Sequence, residues 1–345
     1  MISIIGTVGV PACYGGFETL VENLLDQQDQ NTKIRVYCSA KSYQQQPKRY
    51  KNAELHYVPL NANGVQSIFY DAWSLIHAAM TKSDTILVLG VSGAICLPFI
   101  KWFSKAKIIT NIDGLEWRRD KWSPMAKRFL KFSEKLAVKY SDVIVADNKA
   151  IAQYVTEEYN CYAEVIAYGG DHAVTEALVD KDDGYALALC RIEPENNVEL
   201  ILEGFKRSKK SIKFIGNWDV SDFGRKMKLT YGHCQNIEII DPIYNIESLF
   251  KIRQGCSFYV HGHSAGGTNP SLVEMMHFNK DILAFDCNYN RATTEEKCHY
   301  FDNIDQLSDE IYAMVDAQHG TLMLEIAQRR YTWKIVKQQY FNLFK

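Results

Sequence analysis

His261-Gly262-His263-Ser264-Ala265-Gly266-Gly267-Thr268-Asn269-Pro270-Ser271-Leu272-Val273-Glu274 is the stretch whose reading decides the fold. The run 256–260 before it is rich in β-formers, and Leu272, Val273, Met275 and Met276 open an apolar helical pattern after it. The order is strand, glycine loop, helix, with Asn269 as N-cap and Pro270 at the first helical position. Free N–H groups at a helix start, beside glycines that permit close approach, suit a phosphate or other anion. Glu274 stands one turn further on and points back toward the same mouth. An ordinary β-α turn also uses Gly and Pro. Two adjacent glycines, a cap, an N1 proline and a carboxylate together favour a ligand site.

Outward from that turn, β-rich runs alternate with helical patterns along most of the chain. Strand-like runs at 2–5, 33–38, 55–59, 85–89, 107–110, 143–146 and 163–166 enclose helical patterns at 18–26, 68–80, 125–139 and 150–158. Such alternation predicts a parallel sheet with helices on both faces. It stops near Gly169-Gly170-Asp171, and the polar stretch through Asp180-Lys181-Asp182-Asp183-Gly184 reads as a linker. It then restarts: 185–190, 198–207, 211–215, 237–239, 246–252, 257–260, 272–276 and 282–284. Two doubly wound domains follow, at 1–170 and 185–330, with 171–184 joining them. The tail 331–345 is helical, breaks from the preceding helix near Tyr331-Thr332-Trp333, and is expected to pack back toward the first domain.

A chain of 345 residues suits two domains, and 47% hydrophobic with 23% charged residues is the composition of a globular protein. The nine cysteines are scattered without a C-x-x-C pair, which argues for reduced thiols rather than a disulfide frame or a zinc site. The chain opens on a strand, and the apolar run 86–100 is short and broken by glycines and Pro98, so a cytoplasmic protein is expected. The net charge of −2 hides an asymmetry. Residues 101–139 hold eleven Lys/Arg against four Asp/Glu, a local +7 that leaves −9 for the remainder.

Ligands of open α/β sheets sit beyond the carboxyl ends of strands, so the residues there are the candidates for chemistry. After the first strand comes Gly6-Thr7-Val8-Gly9-Val10-Pro11-Ala12-Cys13-Tyr14-Gly15-Gly16-Phe17-Glu18, which lacks the dinucleotide spacing and the acid ending the second strand. It argues for close backbone approach to a ligand other than NAD. Asp113 and Glu116 follow the 108–110 strand, where a carboxylate bonds a sugar hydroxyl or takes a proton; capping and surface ion pairs explain them equally well. Arg118, Arg119, Lys121, Lys127 and Lys131, with Lys135 and Lys139 continuing at four-residue spacing, form a basic segment interleaved with aromatics. It suits an anionic membrane surface or a lipid diphosphate. Nucleic acid is disfavoured by the acidic remainder and the absence of a recognition motif. Arg191 ends the first strand of the second domain, where a guanidinium pairs with phosphate oxygens; Asn217 and Trp218 end the next, and Trp218 is placed to stack on a base. His261 and His263 share a strand face but have no third ligand at a helpful spacing, so no metal is expected. Asp180-Lys181-Asp182 has the D-x-D form but reads as solvated charge.

Taken together these motifs resemble the family 4 glycosyltransferases, and within them the bacterial rhamnosyltransferase-type branch of capsule and O-antigen assembly. The carriers are Tyr14-Gly15-Gly16-Phe17-Glu18-Thr19, Asp113-Gly114-Leu115-Glu116-Trp117, Ala146-Asp147-Asn148, Tyr168-Gly169-Gly170, Arg191-Ile192-Glu193-Pro194-Glu195-Asn196, Gly216-Asn217-Trp218 and the 266–274 run. The resemblance implies a GT-B fold, two Rossmann-like domains facing a central cleft. It implies retaining, metal-independent transfer from a nucleotide sugar, with no cofactor. The best-guess donor is dTDP-rhamnose, and the acceptor a polyprenyl-diphosphate-linked glycan at the inner face of the bacterial plasma membrane. It assigns catalysis to Asp113, Arg191 and Glu274, and donor contacts to Gly15, Gly16, Asn196, Asn217, Gly266, Gly267, Thr268, Asn269 and Ser271 besides Arg191 and Glu274. The family's E-x7-E motif keeps its second acid as Glu274, but Gly266 stands in place of the first. Asn196 stands where a lysine is usual. The alternatives are a GT-B nucleotide-sugar epimerase and a non-catalytic carbohydrate-binding partner.

Overall fold

The structure is a computed structural model that describes residues 1–13, 15–26, 32–112, 114–118, 122–314 and 319–345. The chain forms two compact units, 1–167 with 334–345, and 168–333. In the first, β1 (Ile2–Ile5), α1 (Gly16–Leu24), β2 (Ile34–Ser39), β3 (Arg49–Tyr50), β4 (Ala53–Val58), α2 (Gln66–Met80), β5 (Thr85–Leu89), α3 (Leu97–Phe103), β6 (Lys107–Asn111), α4 (Pro124–Tyr140), β7 (Val143–Ala146), α5 (Lys149–Tyr159) and β8 (Glu164–Val165) follow in order. In the second they are β9 (Ala186–Leu189), α6 (Val198–Ser208), β10 (Ile212–Ile215), α7 (Asp222–Tyr231), β11 (Ile237–Ile240), α8 (Ile246–Gly255), β12 (Phe258–His261), α9 (Pro270–Met276), β13 (Asp281–Phe285), α10 (Asn288–Thr293), β14 (His299–Phe301), α11 (Ile304–Ala313) and α12 (Gly320–Arg330). The closing helix α13 (Trp333–Phe344) lies almost wholly in the first unit, where the Asn111 amide donates to the Tyr340 hydroxyl at 2.8 Å.

The two sheets share one plan. The first runs β3-β4-β2-β1-β5-β6-β7-β8 and the second β11-β10-β9-β12-β13-β14. Every pairing is parallel except that of β3 with β4. From β1 the chain winds outward through β2 and β4, then returns beside β1 with β5 and winds the other way. From β9 it winds through β10 and β11, then returns with β12. Each sheet therefore has a switch point, β1/β5 and β9/β12, where successive connections leave in opposite directions and a crevice opens at the carboxyl ends.

Strands covered on both faces read as continuous apolar runs, and β5 (TILVL) is buried along its whole length. In the second unit the core gathers Phe205, Phe214, Trp218, Met227, Phe258, Leu307 and Ile311. Trp218 is fully buried with its indole N–H donating to the Ile240 carbonyl at 3.1 Å, and is therefore a core residue rather than a base-stacking platform. Its N–H satisfied and its ring against Phe214, it gains more inside than on a ligand.

The residues expected to link the domains are fastened into the second unit. Asp183 N–H donates to Gly255 O at 2.8 Å, Ser257 Oγ to Asp182 Oδ1 at 2.6 Å, and Gly170 N–H to Tyr331 O at 2.8 Å. A Cβ on Gly170 would stand 2.6 Å from Val273 O, so Gly170 lies against the α9 backbone, and a Cβ on Gly169 would stand 2.6 Å from the Trp333 ring. Polarity of the side chains concealed this, because the anchoring groups are themselves polar.

Glycines after β1 serve a similar purpose. A Cβ on Gly6, at φ +88°, would meet Leu89 O at 2.0 Å, and one on Gly9, at φ +130°, would meet Cys38 Sγ at 2.6 Å. The close approach inferred for a ligand is here an approach to the protein's own neighbouring strands.

One polar group in the first core stands apart. Asp71 of α2 is buried, hydrogen-bonded by Ser92 Oγ, while its Oδ1 has no partner among the described residues. Burial pushes its carboxyl up to about 7 against the lowering effect of Ser92. A raised folded pKa means the fold binds the proton more tightly than the unfolded chain, so stability falls as pH rises from about 4 to about 7. Asp71→Asn is expected to flatten that decline, worth on the order of a few kcal/mol, in urea titrations run across this range.

Candidate functional site

The loops that follow β9 and β12 flank the switch point of the second sheet and are tied to each other. Asn196 sits in the 3-10 turn Pro194–Asn196, and its amide Nδ2 donates to Arg191 O at 2.7 Å. That bond orients Oδ1 toward His263 Nδ1 at 2.8 Å, so Nδ1 carries the proton and donates. Asn197, in the left-handed region at φ 50°, donates from Nδ2 to Gly262 O at 2.8 Å. Ser264 donates from N–H and Oγ to Glu195 O at 3.1 and 2.7 Å. A Cβ on Gly262 would lie 2.1 Å from Asn196 O, which fixes glycine at that position.

Beyond His263 the backbone opens. Gly266 has φ +123°, and a Cβ there would stand 3.0 Å from His263 Nε2. The absent first acid thus has a physical reason: a side chain at 266 is disfavoured by the backbone and pressed by the imidazole. Among the described residues the N–H groups of Gly266, Gly267 and Asn269 donate to no acceptor. The first turn of α9 behaves differently. Ser271 N–H is taken by Asn269 Oδ1 at 3.0 Å, Leu272 and Val273 N–H by Asn269 O at 3.1 and 3.3 Å, and Pro270 has none. The expectation of free donors at the helix start is therefore corrected: the cap consumes them, and the unspent donors lie in the loop before it. Successive N–H groups of this kind form an anion-binding concavity.

Glu274 is held at the back of the loop. Arg253 Nη2 bonds its Oε2, and His172 Nε2 lies 3.4 Å from its Oε1. Arg253 is buried, its guanidinium 5.9 Å from the centre of the Phe278 ring. Neither Arg253 nor His172 was singled out by the sequence. Arg253 falls three residues after Phe250 on the buried side of α8, and a charge on an apolar helix face is the signal that reveals it. His172 lay in the stretch read as linker; Trp333 Nε1 donates to its Nδ1 at 2.9 Å.

Arg191 is exposed and, among the described residues, its guanidinium is paired only with Glu193, at 3.9 Å. Asn217 is exposed at the end of β10, while Thr268 is buried in the loop. Asn196 is buried, and each end of its amide makes a hydrogen bond within the protein, so it ties the two loops together. His261 is buried without a partner for Nε2 among the described residues, and burial followed by the adjacent His263 keeps it well below the usual imidazole range. Among the described residues no three His, Cys, Asp or Glu side chains are grouped as metal ligands would be.

In the first unit, Gly15 and Gly16 open α1 beside Glu18, which the sequence did not single out for a role. Its Oε1 accepts from Thr7 Oγ1 and Val8 N–H, both at 2.7 Å, and its Oε2 from Gly15 N–H at 2.8 Å. Asp113, Arg119 and Lys121 lie outside the described residues. Arg118 stacks on the rings of Trp117 and Tyr154, each at 5.1 Å. Lys131 is turned inward, 2.9 Å from Glu158 and 4.7 Å over both Trp117 and Tyr154, and is not a free surface cation. Four-residue spacing rotates about 40° per step on an α-helix, so Lys127, Lys131, Lys135 and Lys139 fan out instead of sharing one face. Lys127 is half-buried, and Lys135 and Lys139 are exposed.

Comparison with solved structures decides the fold. A sucrose-phosphate synthase from Thermosynechococcus elongatus superposes with a TM-score of 0.79 at 12% identity, over 99% of this chain and 98% of that one. Alr3699/HepE of Anabaena, solved with UDP, gives 0.73 at 10% identity over 99% and 98%. This is a GT-B fold. A putative UDP-N-acetylglucosamine 2-epimerase from Listeria monocytogenes gives 0.63 at 13% identity over 99% and 94%. Residues 1–171 match the family described as "Domain of unknown function (DUF1972)". No curated protein matches the chain by sequence.

The bridging role of Asn196 is testable. Asn196→Lys, which would supply the cation usual in the resembled family, is expected to destabilise the protein by about 1–3 kcal/mol, because it leaves Arg191 O and His263 Nδ1 unpaired. Thermal unfolding with and without nucleotide sugar checks it, and a lower Tm without tighter donor binding is the expected result.

Proposed function

We propose that the protein is a glycosyltransferase that takes its sugar from a nucleoside diphosphate donor bound at the β9/β12 switch point. The observation that carries this reading is the 266–269 loop. Three N–H groups unspent among the described residues open beside a Glu274 that Arg253 has already fixed. The loop suits a diphosphate, and a carboxylate so oriented suits the vicinal hydroxyls of a ribose. Arg191, exposed after β9 beside Glu193, supplies the counter-charge for that diphosphate in this reading. The GT-B fold shared with HepE, which was solved with UDP and with UDP-glucose, supports a nucleotide sugar as partner.

The chemistry is transfer with retention of configuration. The acceptor hydroxyl oxygen bonds to the anomeric carbon on the face the diphosphate leaves, the bond from that carbon to the β-phosphate oxygen breaks, and the leaving phosphate takes the hydroxyl proton. Arg191 and the loop N–H groups stabilise the negative charge that develops on the diphosphate. Asp113 stands for the sugar-side carboxylate. The donor we favour is dTDP-rhamnose and the acceptor a polyprenyl-diphosphate-linked glycan of a bacterial surface polysaccharide, met at the cytoplasmic face of the membrane. No helix among the described residues is long and apolar enough to cross a membrane, which accords with peripheral attachment.

A screen of dTDP-, UDP- and GDP-sugars by calorimetry, followed by mass spectrometry with lipid-linked acceptors, tests the reading. Glu274→Gln is expected to weaken donor binding by about 1–3 kcal/mol, the cost of a lost charged hydrogen bond. Arg191→Ala is expected to lower kcat more than it raises KM, because its charge answers one that grows in the transition state. An altered nucleotide sugar formed without acceptor would indicate an epimerase, and binding without product a carbohydrate-binding protein.

A further inference from the structure

We propose that the outer face of α3 and α4 is the surface by which this protein lies on an anionic lipid bilayer. The proposal rests on the preceding reading only for the nature of the acceptor; the surface argues for itself.

The two helices are neighbours on one side of the first sheet. α3 joins β5 to β6 and α4 joins β6 to β7, each connection steps the same way along the sheet, and parallel crossovers of one hand put both helices on one face. Their sides turned from the sheet therefore look outward together. On α3 that side carries Trp102, 84% exposed, with Phe99 and Phe103 also exposed. On α4, Met125 is 82% exposed and Phe132 is exposed. Large apolar groups gathered in this way mark an interaction surface, whereas scattered ones do not.

Charge decides the partner. On α4, Met125, Arg128, Phe132, Lys135 and Lys139 are all exposed and fall at alternating steps of three and four, so they share one stripe. Ser133, Glu134, Ala137 and Val138 are buried on the opposite side. The only carboxylate on either helix is Glu134, and it is buried where it accepts from the Tyr154 and Tyr159 hydroxyls and the Trp117 indole. Lys101 is already paired with Asp142. The free cations of the face are thus unopposed by any acid of their own helices. Two copies of such a face repel each other. An anionic headgroup layer, with acyl chains beneath it for an indole and a thioether, matches both components. Of the basic segment read from the sequence, Lys131 faces inward and Lys135 and Lys139 are exposed, and α3 adds Phe99, Trp102 and Phe103 to the surface.

Co-sedimentation with vesicles of equal parts phosphatidylcholine and phosphatidylglycerol, against vesicles of phosphatidylcholine alone, tests the proposal. The intact chain is expected to bind the mixed vesicles, to bind the neutral ones far less, and to be released by salt. Arg128→Ala with Lys135→Ala and Lys139→Ala is expected to weaken partitioning on the order of a hundredfold. Phe99→Ser with Trp102→Ser is expected to weaken it by roughly tenfold or more. Equal binding to both vesicles, no binding, or variants that bind like the parent would overturn it. So would a concentration-dependent dimer in sedimentation velocity that Phe99→Ser with Trp102→Ser disperses, because the face would then belong to a second copy. Thermal unfolding of each variant confirms that it folds. Donor calorimetry on the intact chain separates the two readings: donor binding without vesicle binding condemns the surface alone, and vesicle binding without donor binding condemns the function alone.

Discussion

The hydrogen bond between Asn196 and His263 joins the two strands at which the second sheet changes direction. Parallel pairing of β9 with β12 brings two connections to the same edge, but leaves them as separate loops. Asn196 closes them into one object, because its amide must face Arg191 O with one end and His263 with the other. Everything around it follows from that fixed ring. Gly262 and Gly266 are glycines because backbone and imidazole occupy the space a side chain would take. Among the described residues, the N–H groups of Gly266, Gly267 and Asn269 are left without an acceptor. The carbonyl of Arg191, not its guanidinium, holds the loop, and the guanidinium stays exposed beside Glu193.

The fold was legible because parallel strands covered on both faces must read as apolar runs, and β5 and β12 do. The break between α12 and α13 falls at Tyr331 and Thr332, where the helical pattern falters. α7, α10 and α11 were not read, since short surface helices of mixed composition carry a weak period. The segment 171–184 reads as a joint because its anchors are backbone groups and carboxylates, which look solvated until their partners are known.

At the site, the residue types were legible and the partners of their polar groups were not, for one reason. A sequence gives residue types at a strand end but not what consumes their hydrogen-bonding capacity. Asn196 reads as a donor contact, and its amide also ties two loops of the protein together. The first turn of α9 looked open and is closed by its own cap. Trp218 looked available and is core. Arg253 and His172, which fix Glu274, are separated from it by twenty-one and about a hundred residues, a distance at which no local pattern operates. The fold alone does not choose among functions, since chains solved as a synthase and a putative epimerase share it at 12% and 13% identity. The unspent donors of the loop are what favour a phosphorylated ligand.

The central claim is therefore that a nucleoside diphosphate sugar is held by backbone N–H groups ahead of α9. Amide hydrogen exchange of the full-length protein with and without a saturating donor tests this most directly. The account predicts new protection at Gly266, Gly267 and Asn269, with the already bonded amides of Leu272 and Val273 little changed. Donor binding that leaves those three amides exchanging as before, with protection appearing elsewhere, would contradict it.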